Sequence, residues 1–246
     1  MKLVLYHIEI PVTFPEGRHA HPAMGSIFHG ALMERFPPEV ANAFHQDGMR
    51  LYSQSILWDE KKNTSLWRIG ALNDDVAAVF LDALQTSPEL YLKQQGYAVH
   101  LGSISCRKQA FNQILHYKKK PKGADVVFLT TTSFKRQGSY VLFPELPLLY
   151  QSVLLRWPMM TPIPMEPEAA QVLGYYTVIR KYDLHTALFH LEGRSVPGFA
   201  GRLGIRFCGN QDVNCLAAAL LQCAVYTGIG IKTALGMGAV RVRIFE

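Results

Sequence analysis

The chain has 246 residues, 49% hydrophobic and 18% charged, a balance that excludes an intrinsically disordered chain. Its 19 Gly and 14 Pro follow no triplet period, which excludes collagen, and no apolar run nears the roughly 20 residues of a bilayer span. The net charge of +6 is unevenly placed: residues 1–100 carry 8 Lys/Arg against 11 Asp/Glu (−3), and residues 101–246 carry 17 against 8 (+9).

Residues 2–10 alternate with β-branched and aromatic content and read as a strand, ended by Pro11 and Pro15. From Ala23 to Phe36, Met24, Ile27, Phe28, Ala31 and Leu32 recur at helical spacing, and Pro37-Pro38 stops the helix. A second helix is expected from Glu39 to Asp47, closed by Gly48. Strands follow near Leu51–Trp58 and Leu66–Ala71, then a helix over Asp74–Leu84 and a strand near Ala98–Cys106. The order is β-α-β-β-α-β, the ferredoxin-like arrangement.

The lysine run Lys118–Lys122 reads as an exposed connection, after which the order begins again. Asp125–Thr131 is a strand, and Leu146–Trp157 is a helix. Tyr175–Leu191 and Phe199–Cys208 supply strands, Val213–Tyr226 is an Ala/Leu-rich helix, and Ala239–Phe245 is a final alternating strand. The expected fold class is α+β, with tandem ferredoxin-like domains at residues 1–115 and 124–246.

A positive half points to an anionic partner, most often nucleic acid, although a basic proteome or a need for solubility gives the same surplus. Cys106, Cys208, Cys215 and Cys223 form no CxxC pair and read as reduced thiols. The N-terminus MKLVLYHIEI carries His and Glu where a signal peptide is apolar, so a soluble, cytoplasmic protein without membrane contact is expected.

Three places carry possible chemistry. The segment from Gly228 to Gly238 sets Gly228, Gly230, Gly236 and Gly238 around Lys232, between a helix and a strand. Such a loop can bring backbone N–H groups close to phosphate, or simply cap a helix and start a bulged strand. It is neither a Walker A loop nor a dinucleotide fingerprint, since the order of residues and elements fails both. The second place is the pair His29 and His45. Each lies one step past an apolar residue of its helix, so both imidazoles are expected to reach solvent or a cleft, as surface histidines also do. His45 falls in a last helical turn, where exposed carbonyls favour the imidazolium form. No spacing resembles a zinc site, and no carboxylate cluster suits magnesium. The third is a set of basic residues: Arg107-Lys108, Lys135-Arg136, Arg180-Lys181-Tyr182, Arg202, Arg206, Arg241 and Arg243. Arg241 and Arg243 share one strand face by alternation and can track a phosphate backbone, as solvated edge charges also would.

The glycine loop before the last strand resembles the signature of the RAMP superfamily, whose members pair two ferredoxin-like domains and bind CRISPR RNA. Gly25-Ser-Ile-Phe-His29-Gly-Ala-Leu followed by Ala-Phe-His45, Thr132-Ser-Phe-Lys135-Arg136 leading to Leu142-Phe-Pro144, and Val196-Pro-Gly-Phe-Ala-Gly201 together resemble the CRISPR-associated endoribonucleases that cut repeat RNA. The resemblance implies metal-independent cleavage with no cofactor, in which a 2′-hydroxyl attacks the adjacent phosphate and leaves a 2′,3′-cyclic phosphate and a 5′-hydroxyl. By position His45 matches the family's catalytic histidine, and His29 falls where several members have tyrosine. Where the family has lysine, Arg50 is the nearest cation, with Tyr52 and Lys232 as further candidates. Gly228, Gly230, Lys232, Gly236, Gly238, Lys135, Arg136, Arg241 and Arg243 are then expected to hold RNA. The partners implied are CRISPR repeat RNA and subunits of an interference complex, for a monomer or a homodimer. Two other readings stand beside this one: a non-catalytic RAMP subunit coating guide RNA, and a phosphate-metabolite enzyme using the loop with Lys232.

Overall fold

The computed structural model describes residues 3–45, 51–191 and 193–246. Chain order is β1 (Val4–Thr13), α1 (Gly25–Met33), α2 (Pro38–His45), β2 (Tyr52–Asp59), β3 (Thr64–Ala71), α3 (Asp74–Gln85), β4 (Glu89–Leu92), β5 (Tyr97–Leu101), β6 (Ser105–Ala110) and α4 (Phe111–Ile114). Then follow β7 (Gly123–Thr132), β8 (Phe134–Arg136), β9 (Ser139–Val141), α5 (Leu146–Leu154), α6 (Trp157–Met160), α7 (Ala169–Tyr175), β10 (Thr177–Leu191), β11 (Arg194–Phe207), α8 (Gln211–Thr227) and β12 (Val240–Phe245).

The first sheet runs β2-β3-β1-β5-β4, with β6 also paired to β1. Taking β1, β2, β3 and β6 as the four ferredoxin strands, β1 lies between β3 and β6, all antiparallel. The second sheet repeats that order as β10-β11-β7-β12. Both halves are therefore α+β units of the ferredoxin-like kind, as the alternation in the sequence implies.

Two differences have simple causes. β1 does not stop at Pro11; it continues to Thr13. On its second edge β6 pairs up to Glu9 and β5 begins at Val12, so Pro11 sits in a gap where that ladder asks for no N–H. The strand expected near 98–106 divides into β5 and β6, which pair with different stretches of β1.

Each sheet buries one face under helices. One core gathers Ile8, Ile10, Phe28, Trp67 and Phe80; the other gathers Val126, Leu149, Tyr150, Leu203 and Leu220 and also takes in Leu5, Leu72, Phe111 and Ile114 from the first half. The long helices are capped as their sequences dictate. Asn73 accepts from the N–H of Val76 at 2.8 Å, and Asn210 from that of Val213 at 2.9 Å. Among the described residues no helix is long and apolar enough to cross a membrane.

The halves meet at close quarters. A Cβ on Gly70 would lie 2.1 Å from the Tyr226 carbonyl oxygen, and Ser53 Oγ donates to that same oxygen at 2.7 Å. The end of α8 is thus pressed onto β2 and β3, and the loop between α8 and β12 is carried to the start of α1.

Candidate active site and nucleic-acid interface

α1 packs against β2, β4 and the glycine loop. At its N-terminus a Cβ on Gly25 would stand 2.5 Å from the Leu235 carbonyl oxygen and 2.7 Å from Gly236 Cα. Gln54, only 3% exposed, ties the two together. Its Nε2 donates to the carbonyls of Gly25 (2.7 Å) and Ala234 (3.0 Å), and its Oε1 accepts from Trp67 Nε1 at 2.9 Å. This junction was not foreseen from the sequence. Its one signal is an amide in a strand whose neighbours Ser53 and Ser55 are also small and polar.

His29 does not reach solvent. It is 6% exposed, its Nδ1 lies 2.8 Å from Tyr52 Oη, and its ring stacks on Tyr52 at 6.2 Å and 16°. The helical wheel located one buried stripe, but α1 is covered from two sides, so a residue off that stripe is buried as well. Tyr52, fully buried, also meets Phe44 edge-on at 5.3 Å and Phe80 at 4.9 Å. Phe44 in turn meets Phe36 and Phe80, each at 5.5 Å. That aromatic cluster seats α2, whose half-buried residues are Val40, Ala41 and Phe44, while Ala43 is exposed. His45 is the last residue of α2. Its side chain and the whole of Arg50 lie outside the described residues.

The glycine loop is not an open phosphate cradle. Gly228, Gly230, Gly236 and Gly238 are all buried. Their φ angles are +67°, +85°, +108° and +69°, a region only glycine enters freely. A Cβ would meet Ser133 O at 2.3 Å from Gly230 and Ile229 O at 2.0 Å from Gly238. The N–H groups of Gly228 and Gly238 donate to Ala224 and Thr131 carbonyls, and those of Ile229 and Ile231 to Gly238 and Ser133. The glycines let the loop fold into a knot between the halves, and the knot presents Lys232, which is exposed at φ +56°.

The remaining basic residues divide into two places. Lys135 and Arg136 project from β8; Lys135 lies opposite Tyr140, and Arg136 forms an ion pair with Glu145. Arg241 and Arg243 do share a face of β12, and with Lys181 and Arg202 they line a groove of about 530 Å³ on the face of the second sheet away from its helices. Asp125 lies in its floor, 3.6 Å from Lys181 Nζ. Arg243 also spreads over the Phe245 ring at 5.1 Å.

A further charged cluster stands on the face of the first sheet away from α1 and α3, beside the end of α8, where the His7 ring meets Tyr226 edge-on at 6.2 Å. Glu9 binds Arg68 at 3.0 Å and Arg107 at 2.7 Å. Burial pushes the Glu9 carboxyl up, but Arg68, His7 and Arg107 outweigh it and hold the carboxyl below its usual range. His7 beside it is held below the ordinary imidazole value, burial outweighing Glu9. Among the described residues no three His, Cys, Asp or Glu side chains come together as a metal site.

This chain is similar to known proteins along most of its length. Residues 126–240 match the family model for the CRISPR-associated endoribonuclease Cas6. A CRISPR-associated endoribonuclease Cas6 of Streptococcus thermophilus is 28% identical over 243 residues, spanning 94% of this chain and 97% of that protein. One from Mycobacterium tuberculosis is 28% identical over 244 residues, spanning 96% and 77%. Among solved structures, a Cas6 product complex superposes with a TM-score of 0.79 at 22% identity, covering 99% of this chain and 100% of the other. Thermus thermophilus Cas6 gives 0.77 at 19%, with the same coverage. These structural likenesses bear on the fold.

Proposed function

We propose that the chain, similar over 94% of its length to a CRISPR-associated endoribonuclease Cas6 and matched by the Cas6 family model over residues 126–240, is a repeat-processing enzyme of that kind, which cuts CRISPR repeat RNA without a metal ion to release mature guide RNAs. The observation that carries the reading is the extent of the likeness. It spans 94% of the chain and so includes the α1–α2 segment with His45, which lies outside the residues 126–240 of the family match.

In the proposed reaction the 2′-oxygen of the upstream ribose forms a bond to the adjacent phosphorus and its proton passes to the His45 imidazole. The bond from phosphorus to the 5′-oxygen then breaks, and the same imidazole returns the proton to that oxygen. The products are a 2′,3′-cyclic phosphate and a 5′-hydroxyl. His29 is withdrawn from this proton transfer because it is buried against Tyr52. Its role is to fix Tyr52, on which Phe44 and therefore α2 are seated. Lys232, the exposed residue of the loop knot, supplies positive charge to the phosphorane together with Arg50. As arginine is a poor proton donor, Arg50 contributes charge alone.

The test is incubation of the purified protein with its own repeat RNA in EDTA. Cleavage is expected at an undiminished rate, with a cyclic phosphate on the upstream product. A requirement for magnesium, or a 5′-phosphate on the downstream product, would refute the mechanism. Binding of repeat RNA with no cleavage would favour the alternative, a non-catalytic subunit that coats guide RNA in an interference complex.

The groove supplies the RNA track. Replacing Arg241 and Arg243 together with alanine is expected to weaken repeat-RNA binding and flatten the plot of log affinity against log salt. The flattening should be about 1.4, about 0.7 for each phosphate contact on a single strand. An unchanged slope in anisotropy titrations would remove both arginines from the track.

A further inference from the structure

β10 contains a bulge. Its register against β11 shifts between Ile179 and Lys181, so Arg180 stands opposite no residue. Before the bulge Thr177 and Ile179 face the helices: Thr177 Oγ1 lies 2.9 Å from Tyr150 Oη, and Ile179 packs on the core. Strict alternation would send Lys181 and Asp183 the same way. The extra residue reverses the parity. Lys181 now pairs with Gly204 and Asp183 with Arg202, on the groove face, while Tyr182 pairs with the buried Leu203, shares the helix-side parity of Leu184, which packs on the core, and stands at the rim of the groove.

At that position Leu203 is covered, but β10 is an edge strand and Tyr182 is not. Its side chain is 64% exposed. Phe143, 44% exposed, stands against it with ring centroids 5.9 Å apart and planes at 90°. A T-shaped pair satisfies one edge and one face, so two large rings keep open π faces toward solvent. Exposed apolar surface of this kind calls for an occupant. The charge around it names the class. On the other side of the same strand lie Lys181 and the arginine-lined groove, and the chain reaching Phe143 comes from the β8–β9 hairpin with its exposed Lys135 and Arg136. A polyanion that also carries π faces fits both features, and single-stranded RNA is such a polymer.

We propose that Tyr182, backed by Phe143, is a stacking platform for one unpaired base of the RNA substrate, at the point where the strand leaves the groove over the β10 edge. The proposal rests on the reading of the protein as an RNA-processing enzyme. It assigns the bulge at Arg180 a purpose: the bulge places cations on one side of the edge strand and an aromatic ring on the other.

The experiment measures binding of fluorescein-labelled repeat RNA by the full chain and its variants, with an abasic nucleotide placed at each position in turn. Tyr182→Ala is expected to weaken binding about tenfold with an unchanged salt slope, because stacking releases no counterions. Tyr182→Phe and Tyr182→Trp are expected to stay within twofold of wild type. One abasic position should cost the wild type about tenfold and cost Tyr182→Ala nothing. Because the ring is exposed, the melting temperature should not move. The platform is overturned if Tyr182→Ala binds RNA within twofold of wild type, if no abasic position loses its cost in the variant, or if the variant binds RNA normally but loses a copurifying protein. A wild type without affinity for repeat RNA would remove the reading of function and the platform together, which separates that failure from the others.

Discussion

His45→Ala is expected to slow cleavage of repeat RNA by about 10²- to 10⁴-fold, the usual contribution of a positioned proton-transfer group. RNA affinity should remain within about twofold, since the proposed phosphate contacts lie with the groove arginines and Lys232. The substitution falls on the last residue of α2, where alanine is well tolerated by the helix. The seat of that helix is made by Val40, Ala41 and Phe44 against the Phe36–Tyr52–Phe80 cluster, none of which changes. A loss of rate with unchanged far-ultraviolet dichroism and unchanged affinity therefore isolates the chemistry from the fold. Cleavage by the variant at the wild-type rate would remove His45 from the mechanism, and a parallel loss of affinity would make it a binding residue instead.

The tandem fold was legible because both of its repeats write their strands and helices in long, clean periods. β1, β3, β7 and β12 alternate over six residues or more, α3 carries apolar residues on one side, α8 is a long Ala/Leu-rich run, and asparagine caps the start of each helix. β8 and β9, at three residues each, are too short to show any period, and β4 at four residues is little better. They form because a partner strand is supplied, which no local pattern records. The same limit explains the site. A helical wheel treats α1 as having one neighbour, yet its second neighbour is a loop some 200 residues later in the chain, so the burial of His29 was invisible. The glycines of that loop were conspicuous in the sequence, but the reason for them was not. Glycine serves an approach to phosphate and an approach to another part of the chain equally well, and here the backbones of Ser133, Gly25 and Ile229 stand in the way of a Cβ at Gly230, Gly236 and Gly238, and the Thr233 side chain at Gly228. Arg241 and Arg243 were readable as a pair because alternation along one strand is local information. The parity change at Arg180 was not, because a bulge is defined by the partner strand.

Gln54→Leu is expected to be the most destabilising single substitution at the junction of the halves. Leucine has nearly the volume of glutamine and suits the buried site, so packing is not the issue. The amide holds three partners at once, the carbonyls of Gly25 and Ala234 and the indole N–H of Trp67. With leucine there, all three are left buried without that partner, each at a cost of about 1–3 kcal/mol. Partial relaxation of the loop recovers some of this, and a net loss of about 3 kcal/mol or more is expected, read as a fall in the urea midpoint with an unchanged slope. Ser53→Ala offers the contrast. It removes a single donor to the Tyr226 carbonyl, itself only partly buried, and should cost about 1 kcal/mol. A loss below about 1 kcal/mol in Gln54→Leu would mean that the carbonyls find other donors and the junction is not held by this amide. Under conditions where Gln54→Leu is still folded, its RNA affinity should fall less than its cleavage rate. The groove arginines sit on the second sheet and keep their places, whereas the glycine knot and α1, which present Lys232 and anchor the path to His45, have lost the group they share.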